Sequence, residues 1–328
     1  MSPLHGQNLS AQYGPALSAA TQAAGAQHYP AATLYLVATP IGNLADISLR
    51  ALHVLQIVDA FACEDTRTSS ALLRAYGLDV GRVPWLALHQ HNEAQSAQRV
   101  IERLRQGQRV AYLSDAGTPG VSDPGARLVA AVRAAGLGIV ALPGPSCVTT
   151  LVSTAGAIDE DNAGFVFTGF LPSKPAERMR AVQALAQERR AVVMLEAPHR
   201  ILALARDFTV LGSRAVTVGR ELSKQFEEVA TVEARALTGW LNAGPHRTRG
   251  EFALLLHPLA DPAANDALDT RALRLLMAEL PLARAARLAA ELTGQSRKAL
   301  YAWALAQAGG ASDDPPVGDA EFSEKLGI

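Results

Sequence analysis

Residues 109–146 read RVAYLSDAGTPGVSDPGARLVAAVRAAGLGIVALPGPS, and the fold is decided here. Arg109 to Leu113 is an apolar run of strand length. It breaks into a turn holding Gly117, Gly120 and Gly125, and Asp123 to Ala135 then reads as a helix with an Asp near its start and Gly136 at its end. Ile139 to Leu142 follows as a predicted buried strand, and a second turn, Pro143-Gly144-Pro145-Ser146, follows that. Strand, glycine-rich turn, helix and strand in so short a span predict an α/β sheet.

The same alternation extends in both directions. Leu34 to Ala38 and Val58 to Cys63 are further strand-length runs, with an amphipathic stretch from Ser48 to Ile57 between them; Glu93 to Arg105 is a polar helix, and five strands are expected before residue 145. A second block carries Phe165 to Phe167, a charged helix from Ala176 to Glu188, Ala191 to Leu195, a helix from Pro198, and Ala215 to Val218. It continues with Glu228 to Val232, a short helix around Ala236, and Glu251 to Leu256; its sheet is expected to be mixed. Arg271 to Leu280, Leu282 to Leu292 and Ser296 to Ala306 read as three short helices. The predicted organisation is a disordered leader over 1–31, whose Ala, Ser, Gln, Gly and Pro show no period, then α/β domains over 32–147 and 148–258. A linker over 259–269, a three-helix module over 270–308 and a loose tail over 309–328 complete it.

Composition narrows the function. With 328 residues, 49% hydrophobic and 19% charged, the chain can bury two cores, which excludes a disordered or fibrous protein. Lys plus Arg number 30 against 31 Asp plus Glu, so a nucleic-acid partner must meet a local patch rather than a broad positive field. The two cysteines, Cys63 and Cys147, lie far apart, which argues against a disulfide framework or a cysteine-rich zinc site and for a reducing, cytoplasmic compartment. No apolar stretch reaches bilayer length, so no membrane partner is expected. The first charged side chain is Asp46, which leaves the N-terminus without the positive region of a signal peptide.

In open α/β sheets, ligands settle beyond the carboxyl ends of the strands, where glycine-rich turns expose backbone amides and an acidic side chain can accept from a ribose or an amine. Ser114 to Gly125 has that composition, and the turn at Pro143 to Ser146 could share one nucleoside-containing ligand with it; a tight connection needing Gly and Pro is the other reading. The sequence has neither the Gly-Lys-Ser/Thr phosphate loop nor G-x-G-x-x-G, so nucleotide triphosphate hydrolysis and ordinary dinucleotide binding are not supported.

Six motifs carry a resemblance, in this order: Leu36 to Leu44, Cys63 to Arg67, Leu88 to Glu93, Ser114 to Gly125, Pro143 to Ser146, and Glu196-Ala197-Pro198-His199-Arg200. Together they resemble the branch of the tetrapyrrole methylase superfamily that methylates the small-subunit ribosomal RNA. The likeness covers roughly Thr33 to Pro258, and Gln295 to Tyr301 is similar to that branch's C-terminal helix-turn-helix. The resemblance implies a two-domain tetrapyrrole-methylase-like α/β fold with the cofactor cleft between the domains, plus a small helix-turn-helix-like module. It also implies S-adenosylmethionine as cofactor, a cytidine 2′-hydroxyl of 16S ribosomal RNA or the small ribosomal subunit as substrate, and a homodimer. Matching positions give Asp115, Gly117, Thr118, Val121, Ser122 and Ser146 a cofactor role, with Leu195, Glu196 and Ala253 as weaker transfers.

The remaining motifs follow the first strands. A ribose hydroxyl is a weak acid, so a group that accepts its proton helps, and Glu64, Asp65 and His91 are the candidates. Arg67 suits a flanking phosphate, with His89 and Asn92 beside it on the substrate side. Each has a plainer reading: Asp65 as the cap of a helix over Thr68 to Ala75, Glu196 as the cap of the helix after Pro198, and His199-Arg200 as packing against the linker. His89 and His91 alternate as metal ligands can, but no third ligand is suggested nearby and no metal is expected.

Lys174, Arg178, Arg180, Arg189 and Arg190 form one basic group, and Arg284, Arg287, Arg297 and Lys298 another; Lys174, Arg178, Arg297 and Lys298 are the expected RNA contacts. Solvated helix faces are the alternative, and Tyr301 and Trp303 are base-stacking surfaces or module core. The rival functions are a methylase of a corrin-type precursor and a catalytically silent ribosome-assembly factor.

Overall fold

The computed structural model describes residues 13–88, 93–122, 125–158, 164–259 and 270–308. Residues up to Leu259 form one compact unit with two sheets, and the helices after it form another. The elements of the first lobe are α1 (Gly14–Ala24), β1 (Thr33–Val37), α2 (Leu49–Ile57), β2 (Ala60–Cys63), α3 (Thr66–Ala75), β3 (Trp85–Ala87), α4 (Glu93–Arg105), β4 (Val110–Leu113), α5 (Gly125–Ala134) and β5 (Gly138–Leu142). Its sheet is wholly parallel, in the order β3-β2-β4-β1-β5.

Helices on both faces explain the unbroken apolar runs. Tyr35, Val37, Phe61, Cys63, Ala111 and Leu113 point to a core shared with α1 and α2. The alternate residues Leu34, Ala60, Ala62, Val110 and Tyr112 point to a core shared with α4 and α5. Register aligns the strand ends, with Val37 opposite both Leu113 and Leu142, and Cys63 opposite Leu113. The turns after β1, β2, β4 and β5 therefore leave along one edge.

Two expectations change here, and the five strands expected before residue 145 are found. The stretch taken as a disordered leader contains α1 wherever it is described: Ala20 and Ala24 are buried, Tyr13 meets Tyr76 edge-on at 5.1 Å, and the Tyr29 hydroxyl donates to the Ala24 carbonyl at 3.1 Å. Small alanines pack closely without an apolar period, so the pattern hid the helix. The strand over Ile139 to Leu142 is an edge strand, with Gly138 and Ala141 exposed. The fifth strand is the three-residue β3, whose Phe61–Trp85 ring contact at 4.7 Å fixes it.

The second lobe contains α6 (Cys147–Ala155), β6 (Phe165–Phe170), α7 (Pro175–Leu185), β7 (Ala191–Glu196), α8 (Ile201–Asp207), β8 (Ala215–Arg220), β9 (Glu228–Glu233), α9 (Leu237–Ala243) and β10 (Phe252–Leu256). Its sheet runs β6-β7-β10-β8-β9 and is mixed: β6 is parallel to β7, and β10 is antiparallel to both neighbours. The boundary expected after residue 147 falls in the first turn of α6, because Val148 and Leu151 pack with Ala191, Val193 and Leu255 of this second sheet.

In the C-terminal unit, α10 (Thr270–Met277), α11 (Leu282–Thr293) and α12 (Arg297–Ala308) share a core of Leu273, Ala285, Ala286, Ala289, Leu300 and Ala304. Gly294, at φ 70°, supplies the left-handed residue that ends α11 and lets the chain turn into α12. The predicted linker beyond Leu259 and the predicted tail lie outside the described residues.

Candidate functional site

The turns at the aligned strand ends are tied to one another. Thr39 and Gly117 exchange backbone hydrogen bonds of 3.0 and 2.9 Å, and the Thr39 hydroxyl donates to the Ser114 carbonyl at 3.0 Å. The Ser114 hydroxyl closes the glycine turn on the Gly117 carbonyl at 2.6 Å. The Thr118 hydroxyl donates to the Pro145 carbonyl at 3.0 Å, which joins the two Gly/Pro turns. Gly117 sits at φ 82°, and a Cβ there would lie 3.3 Å from Ile41 Cγ2, so bare backbone is what this wall can present.

Between the lobes lies a cavity of about 390 Å³. The first lobe contributes Ile41, Glu64, Asp115 to Thr118, Val121 and Ser122, followed by Ser146 to Val148 at the start of α6. The second contributes Phe170, Leu195 to Pro198, Gly219, Leu222 and Glu251 to Ala253. Leu195, Ala253 and Gly219 are register partners across β7, β10 and β8, so one cross-strand row forms this wall. All nine positions singled out for a cofactor, Asp115, Gly117, Thr118, Val121, Ser122, Ser146, Leu195, Glu196 and Ala253, border this one cavity, as does Glu64.

The other predicted residues divide. Asp65 caps α3, which begins two residues earlier than expected: it accepts from the Arg67 amide at 2.8 Å and pairs with Arg67 Nη2 at 2.9 Å. The Arg67 guanidinium and amide hold its carboxyl down at about 2, which makes it a weak base. Arg67 itself is 90% exposed. Glu196 is fully buried and does not cap α8; its oxygens accept from the Ala197 amide at 2.8 Å and from Arg200 Nη2 at 3.2 Å, with Arg200 Nε at 3.0 Å. Arg200 packs against Glu196 and His199 is exposed, while the expected packing of both on the linker falls on residues outside those described.

Arg178 is corrected from an RNA contact to a structural residue: it is buried, with Nε 2.6 Å from Asp207 Oδ2. Lys174 is exposed and pairs with Glu177 at 3.1 Å. Arg297 and Lys298 are exposed at the start of α12; Tyr301 is partly exposed, and Trp303 packs on the module core with the Arg274 guanidinium 5.1 Å from its ring. His89, His91 and Asn92 lie outside the described residues. Among the described residues no group of His, Cys, Asp and Glu could hold a metal, and no helix is long and apolar enough to cross a membrane. Ile41, Phe170, Gly219, Leu222 and Glu251 were not anticipated at the cavity; only Ile41, in the turn after β1, carried a local signal.

A parallel sheet whose strand-end turns border a cavity, closed over by a second mixed sheet, defines a two-lobed α/β protein. The chain belongs to the tetrapyrrole (corrin/porphyrin) methylase family, whose pattern matches residues 33–238, and residues 263–308 match the RsmI C-terminal HTH domain. It is 43% identical over 284 residues to ribosomal RNA small subunit methyltransferase I of Pseudomonas aeruginosa, covering 85% of this chain and 99% of that one. With the protein of the same name from Escherichia coli the identity is 44% over 281 residues, covering 84% and 96%. A solved cobalt precorrin-4 methyltransferase of cobalamin biosynthesis shares the fold, with a TM-score of 0.52 and 17% identity over 69% of this chain and 95% of that one.

Proposed function

We propose that this protein is a ribosomal RNA methyltransferase that moves the methyl group of S-adenosylmethionine to the 2′-hydroxyl of a cytidine in 16S ribosomal RNA. The observation that carries this reading is the single cavity gathering the nine cofactor positions and Glu64. Its walls suit a sulfonium nucleoside. Ile41, Val121, Phe170 and Leu195 offer apolar surface; Thr118, Ser122 and Ser146 offer hydroxyls for ribose and amino-acid groups; Glu64, Asp115 and Glu251 offer negative charge to a cation.

Bound there, S-adenosylmethionine supplies an electrophilic methyl carbon on a positively charged sulfur. The apolar wall keeps water from competing with the ribose oxygen. Glu64, bordering the cavity at the end of β2, takes the hydroxyl proton as that oxygen bonds to the methyl carbon and the carbon–sulfur bond breaks. Asp65 stays ionised beside Arg67 and orients it for a flanking phosphate. Lys174, Arg297 and Lys298 add phosphate contacts, as do His89 and Asn92, while His91 is an alternative proton acceptor.

A ribosomal substrate supports a cytoplasmic location. Two copies pair in this reading, as the resemblance implies; a solution mass of one chain would overturn this. The test of the activity is transfer of labelled methyl to unmethylated small ribosomal subunits. Product on ribose supports the reading, whereas product on a tetrapyrrole, or binding without product, overturns it. Asp115→Ala should weaken S-adenosylmethionine binding about 10- to 100-fold by calorimetry, the loss expected for one hydrogen bond involving a charged group; unchanged affinity would remove Asp115 from the site.

A further inference from the structure

A second hollow, of about 420 Å³, lies against the first and is lined by Ile41, Asn43, Asp46, Pro145, Thr150 and Ser223. Ile41 borders both hollows, and two more segments run from one into the other: Ser146 to Pro145, and Leu222 to Ser223. Where the first wall is mainly apolar, this one offers an amide, a carboxylate and two hydroxyls.

Both sides of the hollow are held in place. On the first lobe, the buried Tyr76 donates its hydroxyl to the Leu44 carbonyl at 2.6 Å, and Asn43 Oδ1 accepts from the Ala45 amide at 3.0 Å. On the second, Ser223 donates to Asp46 Oδ2 across the seam. Ser223 and Glu221 both occupy left-handed backbone, at φ 67° and 52°, a cost for any residue with a Cβ. Lys224 keeps this turn folded: Nζ lies 2.8 Å from Glu221 and 3.2 Å from Glu251. Its stem crosses Gly42 so closely that a Cβ there would collide with Lys224 Cγ. Backbone strain held in this way concentrates where ligands bind. No described residue takes the Asn43 amide hydrogens or the second Asp46 oxygen.

We propose that this hollow seats the base of the target nucleotide and that Asp46, oriented by Ser223, selects cytosine through its exocyclic amine. The inference rests on the cytidine reading above. A carboxylate accepts from an amine and repels the carbonyl that uracil carries at the same place, and the Asn43 amide, which lines the same hollow, can donate to the acceptors on the same edge of cytosine. Asp46 is a specificity residue, not part of the cofactor cavity.

The experiment measures methyl transfer from labelled S-adenosylmethionine to small subunits reconstituted with cytidine or uridine at the target position, using wild-type protein, Asp46→Asn and Ser223→Ala. Wild type should prefer cytidine. Asp46→Asn, whose amide can donate to the uracil carbonyl, should lower the cytidine rate about 5- to 150-fold, the worth of one base contact, and move the cytidine-to-uridine ratio toward uridine. Ser223→Ala should shift the ratio the same way by less, and cofactor affinity should stay unchanged in both variants. A wild-type-like ratio in Asp46→Asn, or an equal loss on both substrates together with weaker cofactor binding, would overturn the inference by making Asp46 a structural link between lobes. Wild-type protein that forms no ribose product would remove the reading beneath it instead.

Discussion

Two turns of this molecule share a sequence grammar and end in opposite states. Cys63-Glu64-Asp65-Thr66-Arg67 and Leu195-Glu196-Ala197-Pro198-His199-Arg200 each set a glutamate at the end of a strand, an arginine a few residues later, and the glutamate at the same cavity. In the second, Arg200 folds back on Glu196, both largely sequestered at 19% and 0% exposure, and the charge is neutralised where it sits. In the first, Asp65 draws the arginine: Arg67 reaches outward on Asp65 while Glu64 borders the cavity. One intervening carboxylate thus draws Arg67 away from the path that Arg200 takes, and the reading proposed above gives Glu64 the chemical role.

The contrast breaks most sharply at Glu64. Glu64→Gln should lower ribose methylation about 10²- to 10⁴-fold, the usual worth of a general base, with S-adenosylmethionine affinity little changed. If methylation persists at the wild-type rate, the two glutamates are alike after all. Next in size, Arg200→Ala leaves the Glu196 carboxylate buried without its partner, and should cost about 3–5 kcal/mol of stability by denaturant titration. Glu196→Gln in the same chain should recover much of that loss; failure to recover would mean that Arg200 acts mainly through the Leu171 and Pro172 carbonyls it also meets.

The smallest effect belongs to Arg67. Arg67→Ala should lower the thermal midpoint only slightly, the pair being exposed, and reduce RNA methylation several-fold, with a shallower dependence on salt, because it removes one phosphate contact. The same change should return the Asp65 carboxyl from about 2 toward its ordinary value near 4, read from its carboxyl carbon shift by NMR. The sign follows from the depressed native value: the contribution of the Asp65–Arg67 pair is complete above the ordinary range and fades as pH falls toward 2.

Much of this architecture was legible in the sequence because it rests on local signals. Strand-length apolar runs placed both sheets, and the Gly/Pro turns marked one wall of the cavity, whereas the individual positions given to a cofactor came from the family resemblance. Where the signal was tertiary the reading failed. Nothing near Arg178 announces Asp207, which α8 brings to it from 29 residues further along, so a buried ion pair looked like a basic face. Gly219 and Glu251 reach the cavity only because β10 begins, and β8 beyond it ends, level with the end of β7. The hollow at Asn43 and Asp46 depends on a turn from the other lobe, which no spacing within Pro40 to Asp46 can report.

The helix α1 carries a practical lesson. A fragment begun at Thr33 would retain both sheets, both Gly/Pro turns and the whole cavity, yet it would strip Ala20 and Tyr29 from the apolar core they share with α2. Oily surface laid open there would favour clumping over folding. Handling the two lobes in isolation therefore calls for a helix that lines neither hollow.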